Sequence, residues 1–319
     1  MRIGFDLGGT KMLAAVLDHD RRIVARTKNK TTGVDNDGVF AQIRETIDGV
    51  LEKAGLSKKD IESVGIAAPG PIDMATGTIL STPNLGLKDF ALSARLGTAM
   101  GCPVYLENDV NAGLWGEYIS GVARGTRHVI GLFPGTGIGG GIIMNGALYR
   151  GKNGSAGEIG HITVQSDGRR CGCGNHGCLE TVSSKTAIAR DLALLAMNGQ
   201  SPVLAAAGAT DIKLVKSGLI KKALDAGDYG VAEVIDQAAY FLGIGMAAMV
   251  NTFDPEMIVL GGGLIEKLGS RFTDIAERAM RERSMPRLVA DVAAVEAELG
   301  DDAAVAGAAD LADREHGGG

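Results

Sequence analysis

The chain has 319 residues, more than one hydrophobic core usually supports, and 45% of them are hydrophobic against 22% charged, so two globular domains with a cleft between them are expected and extensive disorder is excluded. A formal net charge of −6, with no run of Lys or Arg longer than two, argues against a nucleic-acid or anionic-membrane surface. Asp6 interrupts the first apolar run and no stretch approaches about 18 uninterrupted apolar residues, so neither a signal peptide nor a membrane span is expected and the cytoplasm is the natural address.

Arg2-Ile3-Gly4-Phe5-Asp6 reads as a short strand, Leu7-Gly8-Gly9-Thr10-Lys11 as a Gly-rich turn, and 12–17 followed by 22–26 as a returning hairpin. Val39, Phe40, Ile43, Ile47, Val50 and Leu51 recur at helical spacing and Gly55 follows as a stop. Strands over 63–68 and 104–106 flank a helical stretch at 92–100, the alternation of a mixed or parallel sheet. The opening grammar then recurs. A strand over 128–133 leads into the turn Gly135-Thr136-Gly137-Ile138-Gly139-Gly140-Gly141, and 142–144 meets 147–149 across an Asn145-Gly146 hairpin turn. Two related α/β halves follow from this echo. Helices over 184–197, 212–226 and 231–250, a strand over 257–260 with the turn Gly261-Gly262-Gly263, a helix over 271–283 and a last one over 303–312 that packs back on the first half complete the pattern. The tail from His316 is expected to fray.

Glycine accounts for 48 residues, about twice the usual share of roughly 7%, and in two places it clusters where a phosphate would need bare backbone N–H groups. The Asp6-Leu7-Gly8-Gly9-Thr10-Lys11 turn adds a carboxylate for hydrated Mg²⁺, a hydroxyl and an ammonium. It is not a G-x-x-x-x-G-K-[ST] loop, and no G-x-G-x-x-G turn opens the first helix. Asn108 and Asp109 fall where a strand ends and a helix begins, a position that faces clefts in α/β sheets. Asp109 there is either the cap of that helix or the carboxylate that accepts an alcohol proton during phosphoryl transfer, with Asn108 fixing a neighbouring hydroxyl.

Cys171, Cys173 and Cys178 have the spacing C-x-C-x₄-C, and His161 precedes them by nine intervening residues. In a reducing compartment that pattern indicates metal rather than disulfides, and one imidazole with three thiolates closes a tetrahedral zinc site with no position left for an activated water. The zinc is therefore expected to be structural. His176, inside the same loop, is the competing nitrogen ligand. His161 is preferred because it ties the loop to another segment. Cys102 stands apart as a small core hydrophobe. Glu158 and Glu180 flank the knot, where folding onto the metal would bring both carboxylates near the hydroxyls of a ligand, although either alone is an ordinary solvated residue. Gly70 and Asn84 read locally as turns.

Together, Asp6 to Lys11, Glu107-Asn108-Asp109-Val110-Asn111-Ala112, Gly135 to Gly141, Gly157-Glu158-Ile159-Gly160-His161, Cys171 to Glu180 and Leu260-Gly261-Gly262-Gly263 resemble the motifs of the ROK family (repressor, open reading frame, kinase), and within it the bacterial glucokinases. The resemblance runs from Arg2 to about Ala308. It implies a duplicated actin-like (ribonuclease H-like) ATPase fold, with a small domain over 1–113 plus a helix at about 301–314 and a large domain over 114–300. It implies Asp109 as catalytic base and sugar contacts at Gly70, Asn84, Asn108, Asp109, Glu158, His161 and Glu180. Nucleotide would fall on Asp6, Gly8, Gly9, Thr10, Lys11, Gly135, Thr136 and Gly137, with adenosine near Gly262 and Gly263, and zinc on His161, Cys171, Cys173 and Cys178. Thr10-Lys11 resembles the members that use ATP rather than polyphosphate. The implied activity is ATP- and Mg²⁺-dependent phosphorylation of glucose at the 6-hydroxyl by a homodimer; kinases of fructose, N-acetylglucosamine or N-acetylmannosamine are the alternatives, Ile159 favouring glucose. A non-catalytic sugar sensor is the alternative of another class. Repressors of the family carry an additional amino-terminal helix-turn-helix, which the strand opening at Arg2 disfavours here. Pro134 departs from the family pattern, since it lacks an N–H before the second phosphate turn.

Overall fold

The computed structural model describes residues 1–82 and 85–317. The strands in chain order are β1 Arg2–Leu7, β2 Lys11–Leu17, β3 Ile23–Lys30, β4 Ser63–Ala68, β5 Ile72–Asp73, β6 Thr78–Thr82, β7 Leu87–Phe90, β8 Val104–Asn108, β9 Val129–Pro134, β10 Ile138–Met144, β11 Ala147–Leu148, β12 Met257–Leu260 and β13 Ala293–Glu296. They form two five-stranded sheets, ordered β3-β2-β1-β4-β8 and β11-β10-β9-β12-β13, and one small sheet, β5-β6-β7. In each large sheet the leading strand pairs antiparallel with its hairpin partner and parallel with the next crossover strand: β1 with β2 and β4, β9 with β10 and β12. The echo in the sequence is thus an echo in topology.

The chain divides into two compact units, Met1–Gly125 with Ala147–Ala156 and Glu298–Gly319, and Thr126–Gly146 with Gly157–Ala297. In the first, Ile3, Phe5, Val64 and Ile66 pack with Val39, Ile43, Ile47 and Val50 of the helix Asn36–Ala54. That helix is capped by Asp35, whose side chain accepts the Gly38 N–H, and ends at Gly55 with φ 67°, a left-handed conformation that suits glycine. In the second unit the long helix Tyr229–Phe253 supplies Val231, Ile235, Leu242, Met246 and Val250 to a core shared with Ile130, Leu132, Ile258 and Phe272. By length and composition alone this helix could cross a membrane, but those side chains are fully buried in the protein interior.

The last helix, Asp302–Gly317, packs on the first sheet, as its small residues suggest, and extends past residue 312. The approach is backbone to backbone. A Cβ on Gly4 or on Gly65 would sit 1.9 Å from the carbonyl oxygen of Val305 or Ala308, so only glycine fits. Gly65→Ala should therefore destabilise the protein by about 3 kcal/mol, a fall in Tm of roughly 5 °C or more. A Tm equal to wild type would mean that the helix can retreat at no cost.

One expectation is corrected, and one open alternative is decided. The helix expected over 212–226 occupies only Ser217–Asp225, because Asp211 accepts the Lys213 N–H in a turn that breaks the helical run. The cap of the helix Asp109–Ser120 is Asn108, whose side-chain oxygen accepts the Val110 and Asn111 N–H groups at 3.0 and 3.2 Å; Asp109 is the first residue inside it.

Candidate active site

Asp6 lies near the carboxyl end of β1, in register with Leu13 of β2 and Ala67 of β4. Its carboxyl is driven up to about 7 by burial first and by the charge of Asp109 second, against the opposing pull of Lys11, with Asp301 adding to the rise. The charged form is thus less favoured in the folded chain than in the unfolded one. Stability from this group is greatest below about pH 4 and fades as pH climbs through about 7, a loss on the order of 4 kcal/mol at full ionisation. Without nucleotide or divalent cation, Asp6→Asn should therefore be more stable than wild type at pH 8 and lose that advantage toward pH 4. Equal Tm differences at both pH values would contradict the burial of this charge. A group with these properties suits a cation, which would restore the charged form.

The following turn is tied back by the Thr31 hydroxyl, which donates to the Gly8 carbonyl at 2.7 Å. Lys11, expected to meet phosphate, pairs with Asp301 at the start of the last helix, and Lys28 donates to the same carboxylate at 3.0 Å; Lys11 first and Lys28 second hold that carboxyl below its usual range. Asp109 follows β8. Its Oδ1 accepts the Val110 N–H at 2.9 Å and the Asn108 Nδ2 at 3.1 Å. Gly70 is close by, since a Cβ there would lie 3.8 Å from Asn108 Nδ2. Asn84 lies outside the described residues.

One residue before the cap, Glu107 is fully buried. Its carboxylate accepts from Arg150 Nε at 2.8 Å, the Tyr105 hydroxyl at 3.1 Å, Asn111 Nδ2 at 3.1 Å and the Asn108 N–H at 3.0 Å. Burial, reinforced by the Glu107 charge, pushes the Tyr105 phenol upward, so it remains a donor. Tyr105, Arg150 and Asp301 offered no signal in the sequence; a charged Glu107 inside a strand was the one available hint.

In the second unit, the turn after β9 spends its Gly135 N–H on the Gly137 carbonyl at 2.8 Å. With Pro134 lacking a donor, the Thr136 and Gly137 N–H groups are what this turn can offer an anion. Glu180 abuts the turn: its Oε2 accepts the Ile138 N–H at 3.0 Å and would lie 2.2 Å from a Cβ on Gly137. Gly262 and Gly263 follow β12, and a Cβ on Gly262 would sit 3.0 Å from the Pro134 carbonyl oxygen, so the two glycine turns are neighbours.

The donor atoms of His161, Cys171, Cys173 and Cys178 lie within 4.8 Å of one another. Cys173 Sγ and Cys178 Sγ are 3.7 Å apart, and Cys171 Sγ is 3.5 Å from His161 Nδ1. A tetrahedron with zinc–sulfur bonds of about 2.3 Å and a zinc–nitrogen bond of about 2.0 Å has edges of roughly 3.8 and 3.5 Å, so these separations fit the metal. Burial pushes the Cys178 thiol up to about 12 and raises Cys171, whereas the Asn175 N–H lowers the exposed Cys173. Three thiolates therefore need a cation beside them. His176 points elsewhere, its Nδ1 lying 3.2 Å from the Gly168 carbonyl. With Nδ1 of His161 turned to the sulfurs, its Nε2 lies 3.8 Å from Glu158 Oε2, while Glu180 Oε1 is 3.8 Å from Cys171 Sγ. Both glutamates thus adjoin the cysteine knot.

The model of the ROK family matches residues 2–315. The glucokinase of Halalkalibacterium halodurans is 37% identical over 313 residues, covering 96% of this chain and 92% of that protein. A ROK family glucokinase from Streptomyces griseus, solved in complex with glucose and AMPPNP, superposes with a TM-score of 0.81 at 34% identity over 98% of this chain and 99% of that one. The ROK hexokinase from Thermus thermophilus gives 0.84 at 33% identity over 100% and 99%. Agreement in sequence and topology over essentially the whole length leads to one conclusion: this chain belongs to the ROK family and has its actin-like ATPase fold.

Proposed function

We propose that the chain is an ATP-dependent glucokinase, transferring the γ-phosphoryl group of ATP to the 6-hydroxyl of glucose. The observation that carries this reading is its near full-length similarity to glucokinases, one of them solved with glucose and a nucleotide analogue. Asp109 accepts the proton of the 6-hydroxyl as that oxygen attacks phosphorus and ADP departs. Its hydrogen bonds to Val110 and Asn108 both fall on Oδ1, which orients the carboxylate. The remaining Asn108 Nδ2 hydrogen, the Gly70 backbone, Asn84, Glu158, His161 Nε2 and Glu180 take the sugar hydroxyls. Phosphates meet the N–H groups of Gly8 to Lys11 and those of Thr136 and Gly137, with adenosine near Gly262 and Gly263. Asp6 would help hold Mg²⁺, which when bound neutralises charge on the transferred group. Zinc held by His161, Cys171, Cys173 and Cys178 would brace the segment carrying Glu158 and leave chemistry to Asp109. A homodimer in the cytoplasm belongs to the same reading and rests on the family resemblance.

A panel of hexoses with coupled ADP detection tests the assignment. Glucose should give the highest kcat/KM. A higher value with fructose or an acetylhexosamine would reassign the substrate, and sugar-dependent thermal stabilisation without ADP release on any hexose would make the protein a sensor.

A further inference from the structure

We propose that Arg150, acting through Glu107, is a positioning residue for phosphoryl transfer: it fixes the strand-to-helix junction on which Asp109 sits. The inference rests on Asp109 being the base. Glu107 is 0% exposed, and a buried carboxylate is tolerated only where donors surround it. Its two oxygens divide the work. Oε1 accepts the Asn108 N–H and Asn111 Nδ2, both in the turn that begins the helix Asp109–Ser120. Oε2 accepts Arg150 Nε and the Tyr105 hydroxyl, and Arg150 Nη2 donates to that same hydroxyl at 2.9 Å, closing a ring. The guanidinium therefore sits one carboxylate away from the residue that caps the helix, and the capping residue in turn holds Asp109 Oδ1.

Arg150 comes from a part of the chain with its own reason to matter. The segment Ala147–Ala156 groups with the first unit, and the chain then passes at Gly157 into the second, where Glu158 follows at once. The segment closes on itself through the Ala156 N–H, which donates to the Arg150 carbonyl at 3.0 Å, and it meets the rest of the first unit at Gly154, where a Cβ would lie 3.0 Å from Met74 Cγ. Among the described residues, the Glu107 carboxylate is the one that Arg150 pairs with. The pair thus links the segment leading to Glu158 with the junction that presents Asp109. Net stability is a poor explanation for it, because apolar residues of similar volume usually do as well as a buried ion pair, whereas a planar guanidinium fixes geometry.

The test compares Arg150→Met, Arg150→Lys, Glu107→Gln, Arg150→Met/Glu107→Gln and Asp109→Asn with wild type, reading kcat, glucose Kd by calorimetry and Tm. Arg150→Met should lower kcat by about 10- to 100-fold, the range for a misplacement near 1 Å, with glucose Kd changed by less than about 3-fold. Arg150→Lys, which keeps the charge without the fork, should fall between Arg150→Met and wild type. The double variant should recover at least about 5-fold over Arg150→Met, because the carboxylate left unpaired is gone. An Arg150→Lys protein of wild-type kcat, or variants whose kcat per folded molecule is unchanged while Tm drops, would overturn the positioning role. Wild-type turnover in Asp109→Asn would instead overturn the base assignment, so the two failures are separable.

Discussion

Asp109→Asn should lose about 10²-fold or more in kcat while binding glucose within a few-fold of wild type. The amide has the shape of the carboxylate and keeps an oxygen for the Val110 N–H, which Asp109 Oδ1 now accepts at 2.9 Å, so the helix start should survive. Asn108, the cap itself, is untouched. What disappears is the ability to take a proton from the attacking hydroxyl. General-base catalysis of this kind contributes about 10²- to 10⁴-fold, and the lower end is expected because positioning and phosphate neutralisation remain. Steady-state kinetics alongside calorimetric glucose binding would decide it. Turnover within 3-fold of wild type would remove Asp109 from the chemistry, whereas a collapse of glucose binding together with kcat would mean that it mainly shapes the sugar site.

Cys173→Ser should lose zinc and weaken glucose binding together, by about 10-fold or more. Serine presents an alcohol that does not ionise near neutral pH, and the Cys173 Sγ to Cys178 Sγ edge of 3.7 Å then loses one end. The other three donors remain, but a structural site usually needs all four. Without the ion, the Cys178 thiol takes its proton back and His161 Nδ1 is released from the sulfurs, so its Nε2 no longer has a fixed direction toward Glu158 and the sugar. Metal analysis per chain and a glucose titration form the paired measurement, and chelator treatment of wild type should reproduce the result. Metal loss with unchanged sugar affinity would show that the knot holds only itself.

The parts of this molecule that sequence exposed are those governed by short-range rules. The strand-turn-hairpin of Arg2 to Leu17 and its repeat at Val129 to Met144 rest on apolar runs broken by glycine, and the cysteine spacing reports ligand geometry within one loop. The small sheet β5-β6-β7 was not foreseen, because its strands of two to five residues mix polar and apolar positions without a clear period. Pairings across long separations were also hidden. Lys11 with Asp301 joins residues 290 apart, and Arg150 with Glu107 joins residues 43 apart; neither charge is distinguished locally from its neighbours. The sequence offers Asp109 as a cap, but Asn108 beside it suits that position equally well and is the residue that occupies it. Geometry resolves what propensity could not.

The close seating of the helix Asp302–Gly317 on β1 and β4, at Gly4 and Gly65, also bears on synthesis. During translation the first sheet emerges long before the helix that covers one of its faces, and the whole second unit is made in between. Until then Leu13, Ala15 and Leu17, which pack with Val305, Ala306 and Ala309, have no covering surface. The nascent first unit is therefore expected to remain a chaperone client through most of elongation, and to become protease-resistant only after Val305 and Ala308 have cleared the ribosome.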